Sequence, residues 1–342
     1  MWLRLTAFLS LRSPNTQETY LGIVREWCLF LGAEAGSPTA ARKVAGARDL
    51  DAIAYRRWLE QRPGERPRAE RRESSSREVA VSSRPRRTVK KEGLESTLSN
   101  ATIAKKFAAL RRIYRMLIAS GLARENPFDT DRVPPPPKES GRKRPTEMVD
   151  FKVVKRIVAL PDPAEPKGLR DRAILAALFG GGLRRSEAAR LRVGDVRQSP
   201  AGTLYLYLRS TKAKRDAQQA LPGWAAAAVK ALLTRRTQEG AGPADYLFIG
   251  YTGRGGRAPS TEPVSPSGIY KLFKHYCRLG GAGRFCTPHS ARATAITRLL
   301  AAGIPHRQVQ EFSRHSSIQM VELYDKRRLG VDENPGKDLD YD

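Results

Sequence analysis

Residues 287–324 read TPHSARATAITRLLAAGIPHRQVQEFSRHSSIQMVELY. Thr287-Pro288 marks a helix start, because proline is tolerated in the first turn, where its missing N–H has no intrahelical partner anyway. The apolar spacing then predicts three helices in succession, over Pro288–Ala302, Pro305–Phe312 and Ser317–Tyr324. His289 and Arg292 stand at i and i+3, so both project from one face near the start of the first of these helices. His315 follows Arg292 by 23 positions and Tyr324 follows His315 by nine.

Working outward, Asp171–Phe179 reads as an apolar helix, Gly180-Gly181-Gly182 as a turn, and Arg184–Leu191 as a further helix. Gly182-Leu183-Arg184-Arg185-Ser186-Glu187 sets an arginine just after the glycine turn, at the positive end of that helix, with an acid one turn later to hold it. Thr203–Arg209 alternates as a strand, with Leu204, Leu206 and Leu208 on one side, and a hairpin tip over Thr211–Asp216 carries Lys212 and Lys214. Helices are expected at Trp224–Thr234 and Ser267–Leu279. The proline run Pro134–Pro137, followed by Lys138, Arg142, Lys143 and Arg144, reads as an extended basic linker over 134–145. It separates a first domain, 1–133, from a second, 146–330, which an acidic tail, 331–342, follows.

In the first domain Ser13-Pro14 opens a helix whose Tyr20, Ile23, Val24, Trp27, Cys28 and Leu31 recur at helical spacing. A short helix is expected over Asp49–Glu60, with Leu50, Ile53, Ala54 and Trp58 on one face. Residues 62–92 hold almost no apolar side chain and read as a mobile basic insertion, too poor in buriable area to offset the entropy of ordering. Regular structure resumes at Asn100, read as an N-cap, with Ile103, Phe107, Leu110, Tyr114 and Leu117 lining one face until Gly121. The opposite face carries Lys105, Lys106, Arg111, Arg112 and Arg115. No acidic residue falls between Asn100 and Ala123, which favours a phosphate-facing surface over an ordinary solvated one.

The 342 residues carry 62 Lys+Arg against 35 Asp+Glu, a formal charge of +27, so a polyanion is the expected partner. No apolar run approaches the roughly 18 to 20 residues that span a bilayer. Trp2-Leu3-Arg4-Leu5 resembles a signal peptide only superficially, since Arg4 interrupts it and no small-residue cleavage site follows. Cys28, Cys277 and Cys286 form no C-x-x-C pair, so neither a disulfide framework nor a zinc site is supported, and a cytoplasmic, nucleoid-associated location fits. No cofactor or metal is expected, and the lack of an Asp/Glu cluster with metal-ligand spacing disfavours a metal-dependent nuclease.

Taken singly, each of these residues has an ordinary reading: Arg184 as a helix-start arginine paired with Glu187, Arg292 on the surface, Lys212 in a solvated turn, Tyr324 in the core. The joint order reverses that reading. Gly182-Leu183-Arg184 with Glu187, a lysine on a hairpin, His289-x-x-Arg292, a later histidine and a tyrosine nine residues on resembles the catalytic set of tyrosine recombinases of the phage integrase type. Asn15-Thr16 with Tyr20, and Ala101-Thr102-Ile103 through Glu125-Asn126-Pro127, are similar to that family's N-terminal core-binding helices.

The resemblance implies a mainly α fold with a small antiparallel β-sheet, in two domains: a helical, SAM-like core-binding domain and a mixed α/β catalytic domain. It implies Arg184, Lys212, His289, Arg292, His315 and Tyr324 as the catalytic positions, with Lys214 a rival to Lys212. The expected partner is double-stranded DNA with paired recombination sites, bound by a homo-oligomer, a tetramer on DNA. One departure stands out: where the family usually has Leu-Gly before the second histidine, this chain has Ser313-Arg314, a cation set either beside the phosphate or in solvent.

The chemistry accounts for the residue types. Attack on a phosphodiester builds charge on the non-bridging oxygens, which bidentate guanidinium groups can answer without a metal. A tyrosine hydroxyl with a pKa of about 10 needs a cationic surround and a proton acceptor, for which His289 is preferred. A hairpin lysine can protonate the leaving 5′ oxygen, and His315 can donate a hydrogen bond to the transition state. The family's product is a 3′-phosphotyrosine link and a free 5′ hydroxyl. Two other readings stay open: a catalytically silent DNA-binding protein and a type IB topoisomerase, which shares the chemistry but joins no sites.

Overall fold

The computed structural model describes residues 1–62, 97–137, 146, 148–209, 216–252 and 258–325, and the chain divides into two units, Met1–Lys143 and Arg144–Asp342. In the first, α1 (Trp2–Ser10), α2 (Pro14–Phe30), α3 (Pro38–Gly46), α4 (Asp49–Gln61) and α5 (Asn100–Ala119) enclose an aromatic core. Phe128 is its centre: Trp27 and Phe107 meet it edge-on, with ring centroids at 5.1 and 5.0 Å, an arrangement the ring quadrupoles favour. Trp27 Nε1 donates to Tyr114 Oη at 3.0 Å and Tyr114 donates to the Val44 carbonyl at 2.7 Å, so the polar atoms of these two buried rings are satisfied.

Three expectations for this unit need correction. The fully buried residues of α4 are Ala52, Tyr55 and Leu59; of the expected face Ile53 and Trp58 pack partly against the core, while Leu50 and Ala54 are exposed. Tyr55 turns inward because its hydroxyl finds Glu26 at 2.6 Å, and this rotates the helix away from the face that Leu50 would have buried. The N-cap of α5 is Ser99, which accepts from Thr102 N, whereas Asn100 uses its amide on the Pro137 carbonyl. Arg62, read as the start of a mobile insertion, is held by Glu26 at 2.9 Å and lies over the Trp58 ring. The rest of that insertion, residues 63–92, lies outside the described residues, as do residues 138–145 of the linker and the acidic tail 331–342.

The second unit is built around α7 (Pro166–Gly180), whose residues from Ala173 to Phe179 are all buried, as a helix apolar on every side must be. On it pack α6 (Phe151–Ala159), α9 (Gly223–Gln238), α10 (Pro266–Leu279) and α11 (Pro288–Ala301). A Cβ on Gly180 would lie 2.6 Å from Ala225 Cβ, so the close crossing of α7 and α9 depends on glycine there. Strands β1 (Val196–Gln198), β2 (Leu204–Leu208) and β3 (Ala217–Ala220) form an antiparallel sheet with Leu206 opposite Gln219. Leu206 and Leu208 face the core, as the alternation predicts.

A second antiparallel pair, β4 (Ile249–Thr252) and β5 (Ala258–Pro263), has no counterpart in the sequence pattern. The fold is thus mainly α with small antiparallel sheets. Helix α8 (Arg185–Ala188) is a single turn, shorter than the expected Arg184–Leu191, because Leu191 leaves it to accept Leu247 N across the chain. Finally α12 (His306–Ser313) and α13 (Gln319–Glu322) close a small separate core of Ile296, Leu300, Val309 and Val321, against which Tyr324 packs.

Candidate active site

The turn after α7 sets the site. Gly182 has φ +57°, a left-handed conformation that favours glycine, and an added Cβ would sit 3.0 Å from the Phe312 ring. The turn presents the Gly182 carbonyl to Arg292 Nη1 at 2.7 Å and makes Arg184 the N-cap of α8. Arg184 is locked there by Glu187, which takes its backbone N–H at 2.8 Å and its Nη1 at 2.6 Å. The Arg184 side chain remains 24% exposed and so keeps access to solvent.

Arg292 is 1% exposed, and its Nε and Nη2 have no hydrogen-bond partner among the described residues. Unpaired donors on a buried cation are costly, and an anion is the kind of group whose oxygens would satisfy them. Burial, with Arg314 and Arg184 as like-charged neighbours, pushes its pKa down to about 9, which leaves it cationic at neutral pH.

Tyr324 comes to these arginines from the C-terminal side of the same unit. Its hydroxyl lies 3.3 Å from His289 Nε2, and its ring stacks on His315 with centroids 5.9 Å apart and planes at 10°. His315 Nδ1 lies 3.0 Å from Ser313 Oγ, which is fully buried. Burial lowers both histidines, and the neighbouring arginines lower them further: His289 falls below its usual 6.5 and His315 falls to about 4. Burial raises Tyr324, against the lowering influence of Arg292 and Arg184, and the net shift is upward. At neutral pH the site therefore holds two neutral imidazoles, a neutral phenol and a cluster of guanidinium charge.

The structure thus brings Arg184, His289, Arg292, His315 and Tyr324 together. Lys212 and Lys214 lie outside the described residues, in the connection between β2 and β3. Arg314 is neither beside solvent nor free: its side chain is 7% exposed and pairs with Glu187 at 2.9 Å. Sequence reasoning passes over Ser313, Gln219 and His306 as participants. His306 pairs through Nε2 with Asp325 at 3.0 Å, next to Tyr324. Among the described residues no group of three His, Cys, Asp or Glu is placed to hold a metal ion.

The basic face of α5 divides. Lys105, Arg112 and Arg115 are exposed, whereas Lys106 is held by Glu26 at 2.5 Å and Arg111 donates to the Phe128 carbonyl at 2.7 Å. Arg111, Arg112 and Arg115 line an open cleft of about 750 Å³ together with Arg12, a residue the sequence pattern does not single out because it lies in the turn between α1 and α2.

Comparison with known proteins follows the same line. Residues 147–328 match the phage integrase family. The tyrosine recombinase XerC of Bacillus subtilis is 29% identical over 239 residues, covering 68% of this chain and 72% of that protein. XerC of Pelotomaculum thermopropionicum is 32% identical over 66% of this chain and 71% of its own length. Among solved structures, the Tn1549 transposon integrase in complex with circular intermediate DNA gives a TM-score of 0.58 at 17% identity, over 99% of this chain and 98% of that one. A lambda integrase dimer bound to a COC' core site gives 0.56 at 14% identity, over 96% and 97%. These two likenesses are of fold.

Proposed function

Because the chain belongs to the phage integrase family and is a recombinase enzyme, we propose that it cuts and rejoins double-stranded DNA at paired sites through a 3′-phosphotyrosine intermediate formed on Tyr324. The observation that carries this reading is the meeting of three groups: the Tyr324 hydroxyl 3.3 Å from His289, its ring on His315, and the buried Arg292 with two unpaired donors.

In this reading Arg184 and Arg292 take the non-bridging oxygens of the scissile phosphate, and the two unpaired donors of Arg292 find acceptors only when a phosphate enters. The phenol is not ionised beforehand, since its pKa is raised, so the proton leaves as the oxygen attacks. Neutral His289 is the group in reach to accept it. The Tyr324 Oη–P bond forms as the P–O5′ bond breaks, and the 5′ oxygen is protonated by Lys212 or Lys214. The Ser313 hydroxyl has two acceptors in reach, His315 Nδ1 at 3.0 Å and the Gln310 carbonyl at 3.2 Å; when it turns to Nδ1, the imidazole proton resides on Nε2 and is available to the phosphate. Attack of a second strand's 5′ hydroxyl on the phosphotyrosine reverses the step, so bond energy is conserved. The exposed Lys105, Arg112 and Arg115 supply phosphate contacts in the first unit, and a tetramer on two sites is the assembly this exchange requires.

The test is covalent capture. On a nicked duplex whose cleaved end diffuses away, the wild-type chain should accumulate a denaturation-resistant protein–DNA adduct, and Tyr324→Phe should bind the same duplex and form none. An adduct of normal yield with Tyr324→Phe sinks the assignment.

A further inference from the structure

Arg314 is the one non-glycine residue with positive φ among the described residues, at φ 53° and ψ 40°. Glycine would meet that backbone requirement without strain, so the side chain has to be offsetting it. The contacts show how. Nη2 donates to Glu187 Oε2 at 2.9 Å and to the Gly182 carbonyl at 3.3 Å, and Nη1 donates to the Phe312 carbonyl at 3.0 Å and to the side-chain oxygen of Gln219. Each of two acceptors also serves one of the phosphate-directed arginines. The Gly182 carbonyl anchors Arg292 at 2.7 Å, Glu187 holds Arg184 at 2.6 Å, and the Arg314 carbonyl itself accepts Arg184 Nη2 at 3.3 Å. Gln219 belongs to β3, the strand that follows the segment carrying Lys212 and Lys214.

Resting on the assignment of Arg184 and Arg292 as the phosphate clamp, we propose that Arg314 is a positioning residue. Its guanidinium fork fixes the spacing of those two arginines through shared acceptors and ties them to β3, and its own backbone leads directly into His315. Unlike Arg292, it has both terminal nitrogens already engaged, by Gln219, Phe312, Gly182 and Glu187, so its fork has no free edge to present to a phosphate. Its charge is balanced by Glu187, whose carboxyl is pushed up by burial but held below its usual range by Arg314 and Arg184.

Single-turnover adduct formation at saturating protein tests this, with DNA affinity and thermal melting measured beside it. Arg314→Gly should slow adduct formation by about tenfold to a hundredfold, the scale of a displacement of about 1 Å in a reacting constellation, while Kd changes by less than about threefold because no group that touches a phosphate is removed. Arg314→Lys, with charge but no fork, should fall between Arg314→Gly and wild type. The decisive readout is coupling. Arg184→Ala combined with Arg314→Gly should be slower than Arg184→Ala by clearly less than the factor Arg314→Gly costs alone, since the part of its effect that runs through Arg184 is already lost and only the part through Arg292 remains.

A buried arginine that merely stabilises the unit would instead give rate reductions that multiply, and that result, or a wild-type rate for Arg314→Gly, overturns the proposal. If melting shows that the glycine variant does not fold, the lysine variant decides: a clearly slower rate at unchanged Kd supports the proposal and a wild-type rate overturns it. Tyr324→Phe separates the two levels. An adduct from that variant removes the underlying reading, whereas none from it together with full activity in Arg314→Gly removes only the role of Arg314.

Discussion

His315 is held at a pKa of about 4, first by burial and then by Arg292, Arg184, His289 and Arg314, against 6.5 when unfolded. Above about pH 6.5 the imidazole is neutral in both states and adds no pH dependence. Between that value and about 4 the unfolded chain binds a proton the folded one does not, so stability falls as pH falls, by at most about 3 kcal/mol. His289 shifts the same way, and its proposed role as base requires it neutral, so on that proposal adduct formation should be level above pH 6.5 and decline on acidification below it. Melting of wild type and His315→Asn compared from pH 6.5 to 4.5 isolates the His315 contribution: wild type should lose more, and parallel curves would contradict a neutral buried His315. At this scale the residues that meet around Tyr324 are legible in sequence because the proposed chemistry restricts them to few types at fixed spacing. Arg314 is not legible, since its inward path depends on a left-handed turn and on Glu187 having a second oxygen to offer.

Among the elements, the α7–α8 turn bears the strongest constraint. Gly182→Ala combines a positive φ with a 3.0 Å approach to the Phe312 ring, and the carbonyl it would displace anchors both Arg292 and Arg314. Gly303, between α11 and α12, has φ +77° with nothing within 4 Å of an added Cβ. Both alanine variants should destabilise the protein by about 1 to 2 kcal/mol. Only Gly182→Ala should also slow adduct formation well beyond its effect on stability. Equal rates for the two variants would mean that the turn shapes the fold but not the site. The elements that sequence reveals are those with a continuous apolar stripe, such as α5, or an unbroken apolar run, such as α7. It misses α1, α3 and α6, each nine residues long, the three-residue β1, and β4 and β5, whose pairing involves a shift of register and a proline at the strand end. Elements so short draw their stability from tertiary packing that no local pattern records.

Over the whole chain the formal charge of +27 is the largest electrostatic fact, and it is legible at once; which cations are free to act is not. On α5, Lys106 and Arg111 are engaged by Glu26 and the Phe128 carbonyl, leaving Lys105, Arg112 and Arg115 exposed, with Arg12 joining the cleft that Arg112 and Arg115 line. The cleft is open and has four arginines and no acidic residue in its lining, so it suits a phosphate backbone better than a base edge. Neutralising Arg112 and Arg115 together should therefore weaken binding to every DNA duplex by a similar factor. The slope of log Kobs against log salt should flatten by roughly 0.9 for each phosphate left without its cation. The adduct rate at saturating protein should stay near that of wild type, because neither residue belongs to the unit that carries Tyr324. Titrations of Arg112→Ala/Arg115→Ala against a cognate and an unrelated duplex at several salt concentrations measure this. A weakening confined to the cognate duplex, with an unchanged salt slope, would assign these arginines to base reading instead of phosphate binding.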